Sequence, residues 1–310
     1  MTKRLFLFAG YDRDGIVDET LTYYLNELSK LGDIVFVMDN DTNDAELKKI
    51  KQIPNVLYAQ AQRHNEYDFG SYKRAYIWAR DNNILKNYDW IYLVNDSVYG
   101  PLNSLEPLLN KLEKNGANIT GMTEYQDKNT PTHIQSWFVG LDKDIFSSHV
   151  FDSFMLSIQK ESNKADIICK YEVGMSRRLL RYGFKMFALM YNQDDFEHFM
   201  YDAPIKALNQ GIPFIKKRAI SKLEGMYNLY PHTDNACLVD AIIDNMKRNN
   251  IKIPLSDDKN KNYKYRKYFR LTCLGLPIIT VYRKKRFVEY KICLLDCIPV
   301  LKINLHKKDS

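Results

Sequence analysis

Short apolar runs alternate with stretches of helical spacing over the first hundred positions, the pattern that builds βα units around a mostly parallel sheet. Arg4 to Ala9 reads as a buried strand ending at Gly10-Tyr11-Asp12. From Thr20 to Leu31, the residues Leu21, Tyr24, Leu25, Leu28 and Leu31 fall on one helical face, and Gly32 stops the helix. Asp33 to Met38 is a second strand that runs into Asp39-Asn40-Asp41. Asp44 to Ile53 predicts a short helix, Asn55 to Ala59 a third strand and Tyr72 to Asn82 a helix. Trp90 to Val94 is a fourth strand, ending in Asn95-Asp96-Ser97. Polar clusters thus follow the carboxyl ends of successive strands, the edge of an open α/β sheet at which ligands sit.

The same pattern continues. Ser104 to Asn115 predicts a helix closed by Gly116, followed by strands over Asn118 to Thr123 and Ile134 to Leu141. Asp144 to Tyr182 reads as a helical block interrupted near Ser162-Asn163, and Phe184 to Met190 as a strand. Pro204 to Ile212 predicts a short helix, and Asn235 to Asn249 a longer one with Leu238, Ala241, Ile242 and Met246 on one face. Leu255 to Asn262 is polar after its first residue and reads as a linker. The expected organisation is one domain over 1–254, then a linker and tail over 255–310.

Charge sharpens that division. The net charge of +7 is unevenly placed: Lys259 to Ser310 holds 14 Lys and Arg against 3 Asp and Glu, a net of +11, which leaves −4 for residues 1–258. A 310-residue chain that is 45% hydrophobic is not intrinsically disordered. The tail repeats weakly at a period of 22: Tyr268 aligns with Tyr290, Leu276-Pro277-Ile278 with Ile298-Pro299-Val300, and Lys285 with Lys307. Two such amphipathic units would turn Lys and Arg to anionic lipid and Leu, Ile, Val and Phe to the acyl boundary. The alternative is a basic extension packed back on the domain. Nucleic acid fits less well, because the excess charge is confined to the tail and no nucleic-acid module is evident. The five cysteines are an odd number, and Met1 to Gly10 has no signal-peptide pattern, so a reducing cytoplasm fits. Cys293 and Cys297 read as apolar positions rather than zinc ligands. No apolar run reaches the ~18 residues of a membrane-spanning helix.

Five constellations can carry chemistry. Arg63, His64, Asn65, Asp68, Gly70, Ser71 and Lys73 lie between a strand and a helix. Free N–H groups at the helix mouth favour a phosphate, and Arg63 and Lys73 add charge suited to a diphosphate; the alternative is an ordinary N-cap with surface charges. Asp96, between Asn95 and Ser97, ends a strand and offers an oxygen ligand for Mg²⁺ or Mn²⁺, the alternative being an Asx turn. His133, Gln135 and Trp137 alternate onto one face that suits a sugar, although Trp137 can equally belong to the core. Glu172 is a candidate general base, its pKa raised by burial, or a partner of Arg177 or Arg178. His232 follows Pro231 in a loop and is either structural or within reach of a metal or phosphate.

Four of these segments occur in an order that resembles a known family: Tyr67-Asp68-Phe69-Gly70-Ser71-Tyr72-Lys73, then Leu93 to Pro101, then Ile134-Gln135-Ser136-Trp137-Phe138, then Tyr171-Glu172-Val173-Gly174. Together they resemble the rhamnan synthesis protein F family of bacterial sugar transferases, over about Arg4 to Tyr191. The tail units resemble repeats appended to other bacterial glycosyltransferases. The resemblance implies a GT-A-like αβα sandwich and a nucleotide-diphosphate sugar donor, with a divalent cation, Mg²⁺ or Mn²⁺. It implies that Asn95-Asp96-Ser97 takes the place of an Asp-X-Asp metal motif, with only Asp96 acidic. Asp12, Asp39 and the Arg63 to Lys73 segment would then face the nucleotide, and Glu172 would be the base of an inverting transfer.

The function expected is transfer of rhamnose or a similar hexose to a lipid-linked surface glycan such as lipopolysaccharide, O-antigen or capsule. The site would be the cytoplasmic face of the bacterial membrane, held peripherally by the tail. The rival is a non-catalytic glycan-binding or scaffolding subunit of a polysaccharide assembly complex. An enzyme needs Asp96, Lys73 and Glu172 around one pocket; a scaffold does not.

Overall fold

The computed structural model describes residues 2–191, 198–223, 225–253 and four strands of the tail. The chain divides into two compact units, Met1–Leu255 and Ser256–Ser310. The predicted linker over 255–262, Lys285, Cys297 and Lys307 lie outside the described residues.

The first unit runs β1 (Arg4–Gly10), α1 (Glu19–Ser29), β2 (Asp33–Met38), α2 (Asp44–Lys51), β3 (Val56–Ala61), α3 (Tyr67–Asp81), β4 (Trp90–Asn95), β5 (Val98–Tyr99) and α4 (Glu106–Glu113). It continues with β6 (Ile119–Tyr125), β7 (His133–Ile134), β8 (Phe138–Asp142), α5 (Lys143–Phe146), α6 (His149–Ser157) and α7 (Lys164–Ile167). A π-helical segment over Ile168–Val173 leads into α8 (Gly174–Arg181), followed by β9 (Met186–Met190), α9 (Phe199–Asp202), α10 (Pro204–Asn209), β10 (Ile215–Lys216) and α11 (Ala236–Arg248).

The main sheet is ordered β3-β2-β1-β4-β8-β6-β7, with β9 also paired to β6. Strands β1 to β4 pair in parallel, as do β6 and β9, whereas β8 runs antiparallel to both β4 and β6. This is the expected α/β fold with a mostly parallel central sheet. Period-two alternation divides its strands between two cores. Leu5, Leu7, Ala9, Val35 and Val37 pack with α3, α6 and α8 on one face; Phe6, Phe8, Ile34, Phe36 and Met38 pack with α1 and α4 on the other. Buried on both sides, such strands read in sequence as unbroken apolar runs. A smaller cluster joins Tyr99, Leu102 and Ile215 to Leu238, Ile242 and Met246 of α11.

Three expectations are corrected. The helix expected from Tyr72 begins at Tyr67, so the Asp68-Phe69-Gly70-Ser71 segment forms its first turns rather than a loop before it. The single strand expected over Ile134 to Leu141 is broken into β7 and β8, and Gln135, Ser136 and Trp137 between them carry no alternating face. Because β8 is antiparallel, pairing Phe138 with Val94, this break is delivered to the carboxyl edge of β4.

In the second unit, β11 (Arg266–Cys273), β12 (Leu276–Lys284), β13 (Val288–Leu294) and β14 (Ile298–Leu305) form an antiparallel meander. Each 22-residue repeat is one hairpin, starting at Arg266 and at Val288. Pro277 and Pro299 take equivalent places, facing Thr272 and Cys293. Pro277 lies beyond the β12–β13 pairing and Pro299 lies on the edge strand β14, where a missing N–H is tolerated.

Candidate active site

The carboxyl edge of the sheet gathers charges from five elements. Asp96 follows β4; its amide bonds Ala9 O at 3.3 Å and its carboxylate accepts from the Tyr11 amide at 3.2 Å. Asp68 sits in the first turn of α3 and accepts from Asn95 Nδ2 at 2.8 Å. Asn95 Oδ1 in turn accepts from Ser97 Oγ at 2.5 Å and the Ser97 amide at 3.1 Å. Burial first, then the neighbouring charge of Asp96, pushes the Asp68 pKa up to about 6; Asp96 is likewise raised by burial against the opposing charge of Lys217. Lys217 Nζ stands 3.8 Å from Asp96 Oδ2.

Glu172 reaches this edge from the π-helical segment, a distortion that often marks functional sites. Its Oε2 accepts from the Ser136 amide at 3.0 Å and from the Ser136 hydroxyl, and its Oε1 lies 3.3 Å from His133 Nε2. His133 Nδ1 lies 2.9 Å from Pro131 O. A carbonyl on one ring nitrogen and a carboxylate beside the other both favour a donor, so the surroundings favour the doubly protonated imidazole. The pKa directions agree. Burial pulls His133 down, but Glu172 and Pro131 O more than restore it and raise it above its ordinary value. Burial pushes Glu172 up, but His133 and Ser136 hold it below the ordinary carboxylate value. The expected rise is thus reversed, and Arg178 is elsewhere, donating to Ser153 Oγ.

Lys216, which the sequence did not single out, belongs to this cluster. The two-residue ladder of β10 with β5 sets it opposite Val98, and Nζ donates to Ser97 Oγ at 2.7 Å. Burial lowers its pKa to about 7 against the charges of Glu172, Asp68 and Asp96. Its sequence context, Ile215-Lys216-Lys217-Arg218, resembles a solvated basic run. Only the pairing with β5 distinguishes the buried lysine from its neighbours.

The other candidates lie as follows. Lys73 turns to the far side of α3 and donates to Ile158 O at 2.6 Å. Asp39 is buried and accepts from the amides of His64 and Asn65 at 2.8 and 2.9 Å. Arg63 donates to Asn65 Oδ1 and to Asp39 O, and its guanidinium lies 5.3 Å from the ring centre of the exposed Tyr11. Asp12 accepts from the amides of Asp14 and Ile16 and from both terminal nitrogens of Arg248. Arg248 also grips Asp18 at 3.0 Å, so the end of α11 fastens the loop after β1. Gly70 lets that part of α3 pass against the preceding loop: a Cβ there would meet Glu66 Cβ at 2.3 Å. Trp137 is buried in the core and donates to Thr123 Oγ1 at 3.0 Å; the same hydroxyl donates to Gln135 Oε1 at 2.7 Å, and Gln135 Nε2 approaches His198 Nε2. His232 follows the turn Met226–Leu229, and its amide bonds Leu229 O.

Asp96 and Asp68, which sense each other's charge, are the carboxylates of this edge that could hold a hard cation. Mg²⁺ commonly needs only one or two carboxylates when waters and substrate phosphates fill its remaining positions. Among the described residues no group of three or more His, Cys, Asp or Glu forms a metal cage. No described helix is long and apolar enough to cross a membrane.

Comparison with known proteins places the chain. It is 19% identical over 186 residues to an uncharacterised protein, y4gN, of Sinorhizobium fredii, covering 59% of this chain and 48% of the relative. The chain therefore spans about half the length of that relative. Among solved structures it is similar to core-mannan synthase A of Aspergillus fumigatus in a Mn/GDP form (13% identity, TM-score 0.33, 58% of this chain and 69% of the other). It is also similar to a glycosyltransferase involved in glycosylation of the major capsid of PBCV-1 (11%, TM-score 0.37, 70% and 93%). The model of a described family, rhamnan synthesis protein F, matches residues 34–293, from β2 through the first repeat and most of β13. The chain belongs to the rhamnan synthesis protein F family.

Proposed function

We propose that the protein is a glycosyltransferase that moves a hexose, rhamnose being the first candidate, from a nucleotide-diphosphate donor to a lipid-linked surface glycan. The observation that carries this reading is the convergence of Asp68, Asp96 and Glu172 with the buried Lys216 at the carboxyl edge of a mostly parallel sheet. Membership of the family agrees with it. The nucleotide would lie along Tyr11, Arg63 and Asn65, with Asp39 holding the loop that presents them. A divalent cation held by Asp96 and Asp68 would neutralise the diphosphate when bound. Glu172, kept ionised by His133 and Ser136, would take the proton of the acceptor hydroxyl. Its lowered pKa makes it a modest base, so its contribution depends on position more than on proton affinity.

The rest of the expectation follows the same reading: an inverting reaction at the cytoplasmic face of the membrane, with the basic tail against anionic lipid. The test is a donor screen by mass spectrometry with a lipid-linked acceptor, with and without Mg²⁺ or Mn²⁺. Transfer of a sugar mass from one donor supports the reading. Specific glycan binding with no transfer from any donor would favour the scaffold role instead.

A further inference from the structure

Lys216 is 5% exposed, yet its ammonium has one hydrogen-bond partner among the described residues, the neutral hydroxyl of Ser97. Two aromatic rings flank it: Nζ lies 5.0 Å from the Trp137 ring centre and 5.8 Å from that of Tyr201. Carboxylates surround it from three elements without accepting from it. Glu172 is occupied by His133 and Ser136, Asp68 by Asn95, and Asp96 by the Tyr11 amide and Lys217. Among the described residues, Lys164 of α7 and His198 before α9 also sense this charge.

An ammonium has three donors, and burying one costs several kcal/mol unless partners compensate. A methionine would fill the same space between the two rings, and a neutral Ser97 does not require a charge. Among the described residues, packing alone gives no reason for a lysine here. Its position does: Ser97 follows Asp96 at the carboxyl end of β4, so Nζ lies at the ligand edge of the sheet. Lys73, the cation expected in that role, is committed to Ile158 O on the far side of α3.

We propose that Lys216 receives the diphosphate of the sugar-nucleotide donor, exchanging Ser97 Oγ for a phosphate oxygen. The proposal rests on the glycosyltransferase reading and assigns the group that takes the leaving charge. The acceptor oxygen bonds to the anomeric carbon as the bond from that carbon to the diphosphate oxygen breaks. The electron pair of the broken bond stays on the diphosphate beside Lys216, and the acceptor proton passes to Glu172. The bound diphosphate would favour the charged form of Lys216, and a desolvated charge held there from donor binding onward acts on the transition state with little further reorganisation.

The experiment is calorimetry of the full chain with UDP, GDP, dTDP, ADP and CDP and with the matching nucleosides, for wild type, Lys216→Met and Lys216→Arg. The expected result is that one diphosphate binds wild type more tightly than its nucleoside. Lys216→Met should weaken that diphosphate by about 30-fold and leave the nucleoside within about twofold, while Lys216→Arg recovers part of the loss. Wild type that distinguishes no diphosphate from its nucleoside overturns the glycosyltransferase reading and this proposal with it. A diphosphate that binds Lys216→Met as well as wild type overturns the proposal alone. Should Lys216→Met not fold, a structure of wild type with the bound diphosphate decides. Nζ within hydrogen-bond distance of a phosphate oxygen supports the assignment, and Nζ still on Ser97 Oγ and away from phosphate removes it.

Discussion

Glu172, His133 and Ser136 form a set in which each proton has a defined place. The imidazole gives Nδ1–H to Pro131 O and sets Nε2 3.3 Å from Glu172 Oε1, and Ser136 gives two donors to the same carboxylate. Glu172→Gln is nearly isosteric and tests the charge without disturbing the packing. The amide can still accept from Ser136 and donate to His133 Nε2, which then needs only one proton. Turnover in the variant should fall by about 10²- to 10⁴-fold with nucleotide affinity unchanged, as measured by sugar transfer and calorimetry. The His133 ring supplies an independent readout by NMR. In wild type its folded pKa is raised, so the pairing stabilises the fold fully below the ordinary imidazole value and loses that contribution as pH rises through the folded value; in Glu172→Gln the ring should titrate lower. An unchanged His133 titration would show that the two groups are not paired. Glu172 was legible in the sequence as a carboxylate of interest, but the direction of its pKa was not, because the donors that reverse it come from a segment some 36 residues earlier.

At the scale of elements, the turn from residue 62 to 70 shows where sequence pattern falls short. Gly70 and Ser71 looked like the mouth of a helix, yet α3 begins at Tyr67, and its N-cap position, Glu66, makes no side-chain cap. The start is fixed by contacts from elsewhere: Asp39 holds the amides of His64 and Asn65, Glu66 pairs with Arg74, and His64 bonds Ser71 Oγ. Asn65 and Tyr67 adopt left-handed backbone (φ 60° and 55°), a cost that those contacts sustain beside the site. Gly70→Ala sets two effects against each other. Helix propensity favours alanine by about 1 kcal/mol, but a Cβ placed 2.3 Å from Glu66 Cβ and 2.8 Å from the His64 ring must push the loop away, at about 1–3 kcal/mol. The clash should win, and the variant should melt several degrees below wild type. A variant that melts above wild type would mean the loop yields freely. The same dependence on remote contacts explains β5 and β10, two residues each, which no periodicity can announce and which place Lys216.

For the whole molecule, the main strands and their order of appearance were readable because strands buried on both faces leave apolar runs, and the helices between them leave periodic ones. Register, the β7–β8 break and the meander were not, since they depend on pairing between distant positions. The 22-residue period acquires a structural meaning in the second unit, as one hairpin per repeat, and the family match running to residue 293 takes in more than one of them. The +11 charge of Lys259 to Ser310 is the basis for the proposed contact with anionic lipid. Attraction of that kind is worth about 1 kcal/mol per Lys or Arg near the surface and is screened over about 8 Å at physiological salt. Full-length protein should therefore bind phosphatidylglycerol vesicles at low salt, bind less as NaCl rises, and ignore phosphatidylcholine vesicles. A chain ending at Leu255 should lose this binding while retaining nucleotide affinity, because every residue assigned to the site lies in the first unit. Vesicle binding that survives the truncation, or that is indifferent to salt, would remove the membrane role from the tail and leave the chemistry at the sheet edge untouched.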